Sequence, residues 1–145
     1  MTVLGFDFGL NRTGVAIANL LTGMATPVCV LYSKNSQPDW QGIDKLITEW
    51  RPEKLIVGMP AMLDGSDSSM KKTITRFCNA LEKHTGLPVD TASEQLSSRE
   101  AEQRLKSARQ AGRKRKIRKE EIDQLAAAII LENWMQEQHH GQHTG

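Results

Sequence analysis

Asp7 lies inside a short apolar segment, residues 3–8, whose composition is typical of a β-strand. Side chains alternate between the two faces of a strand, so Asp7 shares its face with Gly5 and Gly9. Glycine weakens a strand, and two glycines beside a charge indicate that a ligand, a metal ion or another backbone comes close to that face. The alternative is a structural aspartate at a strand end, bonded to the following turn. Only the fold can distinguish these roles.

Two further carboxylates occupy positions where a site could form. Glu94 follows a short predicted strand and precedes a helix start signalled by Ser97. Asp123 lies in the first turn of a helix whose apolar residues recur every three or four positions. Acids near a helix N-terminus also interact favourably with the helix dipole, and this is the alternative role for Asp123 as it is for Glu120 and Glu121. Asp123 differs from these two because it shares a helix face with apolar residues.

Basic residues are concentrated in one segment, although the net charge of the chain is only +2. No acid occurs from residue 104 to residue 119. Such density predicts binding to a polyanion, most simply nucleic-acid phosphates, with a solvated basic surface as the alternative. No aromatic residues are interleaved here, so the segment predicts recognition of the backbone and not stacking on bases. The predicted nucleic-acid-binding residues are Arg12, Arg109, Arg113, Lys114, Arg115, Lys116, Arg118 and Lys119.

Carboxylates beside a phosphate-binding surface would repel the substrate unless a divalent cation lay between them. Mg²⁺ and Mn²⁺ prefer oxygen ligands, and two such ions about 4 Å apart can activate water and stabilise the leaving oxygen of a phosphodiester. The combination of acids and basic residues therefore predicts a nuclease that uses Mg²⁺ or Mn²⁺.

Length and composition limit the remaining possibilities. With 145 residues and 39% hydrophobic content, the chain suits one domain, residues 1–138, followed by a disordered polar tail at residues 139–145. Cys29 and Cys78 lack the spacing of a metal site and are expected to be reduced. No apolar run approaches the roughly 20 residues of a membrane span, and no signal peptide begins the chain, so a cytoplasmic location without membrane contact is expected.

The pattern of elements predicts an α/β fold. Three strands at residues 3–8, 12–19 and 24–31 form an antiparallel meander, and two more strands, which run parallel, alternate with helices. The expected mixed five-stranded sheet is flanked by helices on its faces. The later strands are predicted at residues 54–57 and 88–91, and the helices at residues 38–50, 66–84, 97–111 and 119–136. Sites in such sheets collect at the carboxyl ends of parallel strands.

Four segments together resemble the YqgF/RuvX family of pre-16S ribosomal RNA nucleases, which belongs to the RNase H-like superfamily, and the similarity covers nearly the whole chain. The segments are Leu4 to Ile17, Ile56 to Ser66, Ser93 to Ser98 and Ile122 to Ala127. The resemblance implies an RNase H-like fold in which Asp7, Glu94 and Asp123 meet as catalytic residues around the metal. It also implies processing of the 5′ end of 16S rRNA, with pre-rRNA and pre-ribosomal particles as partners.

The sequence departs from the family pattern beside one of these acids. Ser93 and Gln95 stand where the family usually has Asp and Arg. Loss of the arginine removes a bidentate partner for phosphate or carboxylate, which bears on substrate positioning. Two alternatives follow. A Holliday-junction resolvase with structured DNA as its substrate would use the same fold and acids. A nucleic-acid-binding factor without catalysis is consistent with the altered surroundings of Glu94. An ATP-binding protein of the sugar-kinase type is a weaker alternative, because the chain is too short for two lobes and lacks a Walker motif.

Overall fold

The computed structural model describes residues 1–59, 69–93, 103–104 and 118–143. Within them, five strands and three helices follow one another in chain order. Their bounds are β1 Thr2–Asp7, β2 Arg12–Asn19, β3 Met24–Tyr32, α1 Trp40–Trp50, β4 Lys54–Met59, α2 Ser69–Thr85, β5 Val89–Ser93 and α3 Lys119–His143. The strand and helix predictions are confirmed in number and type for these segments. Residues 103 and 104 are helical, and the rest of the predicted helix at residues 97–111 lies outside the described residues.

The strands form one mixed sheet with the order β3-β2-β1-β4-β5. β1 pairs antiparallel with β2 and parallel with β4, β2 pairs antiparallel with β3, and β4 pairs parallel with β5. This is the predicted combination of a three-stranded antiparallel meander with two parallel strands. The predicted α/β class with a mixed five-stranded sheet is therefore confirmed.

Local signals explain where the elements turn and stop. The carboxylate of Asp39 accepts a hydrogen bond of 3.0 Å from the backbone N–H of Gly42 and so caps the start of α1. α2 is followed by Gly86, whose φ of +73° lies in the left-handed region that ends helices. Because glycine adopts this conformation without a steric penalty, the chain can turn directly into β5.

The two faces of the sheet are packed differently. One face carries large aliphatic and aromatic side chains, including Phe6 and Leu55, that pack against α1 and α2, and α2 contributes Phe77 to this cluster. The other face carries smaller residues such as Ala16 and Ala92, and only α3 packs against it among the described helices. Since small side chains allow close approach, α3 lies near the strand backbones.

α3 extends further than the sequence predicted. We expected the helix to end near residue 136 and the chain to be disordered from residue 139, whereas the helix continues to His143. The predicted helix end was therefore wrong. No proline interrupts this stretch, and each residue added to an existing helix gains one backbone hydrogen bond, so propagation outweighs the weak propensity of the polar residues. Among the described residues, no helix is long and apolar enough to cross a membrane.

Candidate active site

All five strands and α3 have one end at the same edge of the sheet. β1, β3, β4 and β5 all run toward this edge, and β2 starts there. Asp7 is therefore at the same edge as Ser93, the last residue of β5, and Tyr32, the last residue of β3. α3 begins at this edge as well, because Asp123, close to the start of the helix, bonds to Arg12 at the start of β2. The edge brings together residues that are more than one hundred positions apart in the chain.

Asp7 and Asp123 are both immediate neighbours of Gly14. In the antiparallel ladder Asp7 pairs directly with Gly14, and paired residues point to the same face of a sheet. A Cβ atom on Gly14 would collide with the backbone carbonyl of Asp123 and would lie 3.1 Å from the Asp123 Cβ. Glycine is therefore required at this position for α3 to approach the sheet. The close approach places the two aspartates on one face, at one edge.

Arg12 holds the Asp123 side chain in place. The Arg12 Nε–H donates to Asp123 Oδ2 at 2.8 Å, and the two side chains are 34% and 22% exposed. A charge-assisted bond between partly buried groups restricts both side chains more than an exposed ion pair would. The sequence predicted Arg12 as a nucleic-acid-binding residue, and the structure gives its guanidinium this internal partner. Asp123 consequently has a defined orientation beside Asp7.

A second link joins the first turn of α3 to the sheet. The Tyr32 hydroxyl donates to Glu120 Oε1 at 3.0 Å, and Tyr32 is the cross-strand partner of Arg12. Hydrogen bonds from the backbone N–H of Glu120 and from the Tyr32 hydroxyl lower the pKa of Glu120. The hydrogen bond to Glu120 in turn raises the pKa of Tyr32. The two links lie side by side, on residues 120 and 123 of the helix.

The remaining predicted residues divide into two groups. Arg118 and Lys119 are exposed at the start of α3. Glu94 follows Ser93 directly in the sequence but lies outside the described residues. The same holds for Arg109, Arg113, Lys114, Arg115 and Lys116. The roles assigned to all of these residues, and to Asp7 and Asp123, stay predictions.

The donor set at this edge suits a hard cation, since carboxylate oxygens are the ligands that Mg²⁺ and Mn²⁺ prefer. Gly14 provides a physical reason for bringing Asp123 near Asp7, its own cross-strand partner, because a side chain on Gly14 would separate α3 from β2. Within the described ranges, no group of three Asp, Glu, His or Cys side chains has the spacing of a metal site. The third predicted ligand, Glu94, is outside those ranges.

Sequence reasoning missed three contributors to this edge. Gly14 was treated only as part of a strand, and Glu120 only as a dipole-stabilising acid. Tyr32 lies just beyond the third strand predicted at residues 24–31, and no role was assigned to it. A signal for Gly14 was available, because a glycine inside a predicted strand often marks a close backbone approach. No local pattern indicated the bond between Tyr32 and Glu120, which are 88 positions apart.

A different carboxylate lies on the same face, toward the other end of the sheet. Asp90 accepts a hydrogen bond of 2.9 Å from the backbone N–H of Thr91 and another of 2.9 Å from the indole N–H of Trp134. Trp134 is 4% exposed, and the Lys54 ammonium lies 5.6 Å from the centre of its ring system. The bond from Trp134 to Asp90 holds α3 to β5 through a buried aromatic residue.

Comparison with known sequences identifies relatives along nearly the whole chain. The sequence model of the family described as "RuvX: Holliday junction resolvase" matches residues 1–137. A protein of Azotobacter vinelandii named "Putative pre-16S rRNA nuclease" is 40% identical over 136 residues, which cover 93% of each chain. A protein of Legionella pneumophila with the same name is 42% identical over 134 residues, covering 92% of this chain and 94% of its own.

Comparison with solved structures gives the same fold. The RuvC protein of T. thermophilus in complex with a Holliday junction substrate superposes with a TM-score of 0.57 over 97% of this chain and 96% of its own, at 17% identity. The Fowlpox virus resolvase, also in complex with Holliday junction DNA, gives a TM-score of 0.54 over 95% of this chain and 99% of its own, at 13% identity. At these identities the likeness concerns the fold.

Proposed function

The chain belongs to the RuvX family, and from this premise we propose that it is a metal-dependent endonuclease acting on structured nucleic acid in the cytoplasm. The substrate we favour is the 5′ end of pre-16S rRNA, within pre-ribosomal particles. Relatives at 40% and 42% identity that carry a pre-16S rRNA nuclease name support this choice.

One observation carries the proposal. Asp7 and Asp123 come from opposite ends of the chain and are both placed against Gly14, at the edge where the parallel strands end. The close approach of α3 requires the absence of a side chain at residue 14, and it produces a pair of acids that the hydrophobic core does not need. Paired acids at the carboxyl ends of parallel strands are typical of a site.

Each residue has a distinct part in the proposed chemistry. Asp7, Asp123 and Glu94 would hold Mg²⁺ or Mn²⁺. The bound metal would activate water and stabilise the leaving oxygen of the phosphodiester. Arg12 fixes the orientation of the Asp123 carboxylate through its bond of 2.8 Å. The end of β1 and the start of β2 keep Asp7 and Arg12 on a rigid sheet, which favours a defined geometry over an adaptable loop.

The positive charges give the substrate its electrostatic attraction. Arg118 and Lys119 are exposed at the start of α3, five and four positions before Asp123. The basic residues that precede them in the sequence extend the same charge, so a phosphate backbone bound there would pass close to the acids. Recognition of phosphates tolerates any base sequence, which fits a substrate selected by its structure.

A four-way DNA junction is the second candidate substrate, because the family description names a Holliday junction resolvase. The same acids and the same metal chemistry would serve both substrates. The two proposals therefore differ in what the basic surface accepts and not in the reaction.

The test is a cleavage assay on three matched substrates with wild-type protein and with Asp7→Asn. The substrates are RNA spanning a precursor 5′ end, fully paired RNA and a four-way DNA junction, each with Mg²⁺, Mn²⁺ or EDTA. We expect cleavage of the precursor RNA that needs metal and falls by about a thousandfold in Asp7→Asn, which corresponds to several kcal/mol of lost stabilisation. Thermal unfolding should show that the variant is folded.

Three outcomes would contradict the proposal. Cleavage in EDTA would exclude the metal, and an Asp7→Asn variant with the wild-type rate would exclude the assigned site. Tight binding without cleavage of any substrate would indicate a nucleic-acid-binding factor. Preferential cleavage of the four-way junction would change the proposed substrate from RNA to DNA and would leave the assigned catalytic residues unchanged.

A further inference from the structure

Tyr32 is the one aromatic residue whose ring lies exposed at the edge of the candidate active site. All seven aromatic residues of the chain belong to the described part, and five of them are accounted for by packing. Phe6, Phe8, Phe77 and Trp40 form ring contacts with one another on the opposite face. Trp134 is buried under α3.

The two exposed aromatic residues lie at opposite ends of the sheet. Trp50 is 38% exposed and lines a cavity of about 310 Å³ with Thr2, the first residue of β1. Tyr32 is 49% exposed and lies at the edge where β1 ends in Asp7. Trp50 therefore provides an internal control for exposed aromatic surface remote from the acids.

The position of Tyr32 relates it directly to the acids. It pairs with Arg12 across the ladder, and Arg12 bonds to Asp123. β3 is separated from β1 by one strand, so two strand spacings, on the order of 10 Å, separate Tyr32 from Asp7. A nucleic-acid strand that places a phosphodiester at the acids would thus have a neighbouring nucleotide within reach of Tyr32.

The Tyr32 side chain is also preorganised. Its hydroxyl is tied to Glu120 Oε1 at 3.0 Å, which fixes the outer end of the ring while the residue stays half exposed. Tyrosine has two side-chain torsions, and a ring already held in place loses little further entropy on binding. Arg118 and Arg12 both carry positive charge close to Glu120, since both contribute to its lowered pKa after the hydrogen bonds do. The positive charges of Arg12 and Arg118 reduce the repulsion between the Glu120 carboxylate and an incoming phosphate.

We propose that the Tyr32 ring is a stacking platform for one unpaired nucleobase next to the cleaved phosphodiester. This inference rests on the proposed nuclease function and specifies its substrate as nucleic acid with a single-stranded nucleotide at the site. Stacking on an aromatic face accepts any base, because every base has a π-face. The subsite would explain how a chain with few aromatic residues can distinguish unpaired from fully paired nucleic acid.

The test measures binding separately from cleavage. Ca²⁺ replaces Mg²⁺, and fluorescence anisotropy gives the dissociation constants of a single-stranded RNA oligonucleotide and of a blunt duplex for wild-type protein, Tyr32→Ala, Tyr32→Phe and Trp50→Leu. We expect Tyr32→Ala to weaken binding of the single strand roughly ten- to hundredfold and that of the duplex less than about twofold. Tyr32→Phe keeps the ring and Trp50→Leu lies at the other end, so both should stay within about threefold of wild type.

A second measurement locates the stacked base. Single abasic sites are placed at each position of the oligonucleotide in turn, and one position should abolish the difference between wild type and Tyr32→Ala. Non-additive losses of this kind show that the base and the ring are partners.

Several results would overturn the inference. These are an unchanged affinity of Tyr32→Ala for the single strand, an equal loss on the duplex, and an equal loss in Tyr32→Phe, which would assign the effect to the hydroxyl. If Asp7-dependent cleavage is observed alongside any of them, the stacking subsite is wrong and the nuclease function stands. If wild-type protein neither binds nor cleaves nucleic acid, both proposals fail.

Discussion

Two aspartates on the same side of the sheet join it to α3, and they do so in different ways. Near the start of the helix, Asp123 accepts a hydrogen bond from Arg12. Eleven residues later, about 16 Å along the helix axis, Trp134 donates to Asp90 on β5. The first link is a partly exposed ion pair beside a second acid, and the second is a bond from a neutral, buried indole to a carboxylate.

The difference lies in how completely each carboxylate is used. Both oxygens of Asp90 accept hydrogen bonds within the fold, one from Thr91 and one from Trp134. Within the part of the chain that the structure describes, only Oδ2 of Asp123 accepts one. Asp123 can therefore offer an oxygen to a cation, whereas Asp90 serves the attachment of the helix. Burial alone would not have distinguished the two acids.

The largest difference should come from replacing each of the two carboxylates, Asp123 and Asp90, by an amide of the same shape. Asp123→Asn removes a charge from the candidate site, and we expect the cleavage rate to fall by about a thousandfold with the fold retained. Asp90→Asn makes the same exchange at the structural link and should leave the rate within about twofold. Single-turnover cleavage and thermal unfolding of both variants check this. Equal losses of rate would show that the two ends do not differ in function.

The next effect concerns the close approach that brings the acids together. Gly14→Ala places a methyl group against the Asp123 carbonyl, so the first turn of α3 must move. A shift of about 1 Å at a site can lower a rate by about a hundredfold, which is the loss we expect here.

Gly5→Ala is the matched control for that displacement. Its new methyl group would meet the Leu131 side chain, with 2.5 Å to Cγ, and a side chain can adjust where a backbone cannot. We expect Gly5→Ala to lower the free energy of unfolding by about 1–3 kcal/mol, as overpacking does, while cleavage persists. Normal cleavage by Gly14→Ala would contradict the requirement for close approach.

Arg12→Ala tests whether the ion pair positions Asp123. Loss of a group that orients a metal-binding carboxylate typically costs 10- to 100-fold in activity, and we expect a fall of about that size in the single-turnover rate. The dissociation constant for substrate should change by less than about threefold. Arg12→Lys should recover only part of the rate, because lysine lacks the planar donor geometry. A loss confined to substrate affinity would instead support the sequence-based prediction that Arg12 binds nucleic acid.

The fold and the site were predictable from the sequence to different extents. Alternating apolar residues and turn signals predicted where the five strands lie along the chain, because these patterns are local. The pairing of Asp7 with Gly14 follows from the same hairpin. The bonds from Arg12 to Asp123 and from Tyr32 to Glu120 join segments 111 and 88 positions apart, so no local pattern contains them. The length of α3 was underestimated because composition alone does not show how far a helix propagates.

The smallest effect concerns the bond between Tyr32, the cross-strand neighbour of Arg12, and Glu120. Tyr32 is the only tyrosine in the chain, so ultraviolet difference absorbance follows its ionisation alone. The hydrogen bond to Glu120 raises the pKa of Tyr32 above its usual 10.0, and we expect Glu120→Gln to lower that pKa again.

The bond from Tyr32 to Glu120 stabilises the fold below the ordinary tyrosine pKa, and this stabilisation is lost as the pH rises through the raised value. On the acid side, the pKa of Glu120 is lowered from its usual 4.5. The stabilisation by the ionised carboxylate is therefore present above pH 4.5 and is lost as the pH falls through the lowered pKa. The link from Tyr32 to Glu120 is therefore intact across neutral pH. An unchanged tyrosine titration in Glu120→Gln would show that the bond from Tyr32 to Glu120 does not hold the start of α3. Among the described contacts, the bond from Arg12 to Asp123 would then attach the start of α3 to the meander.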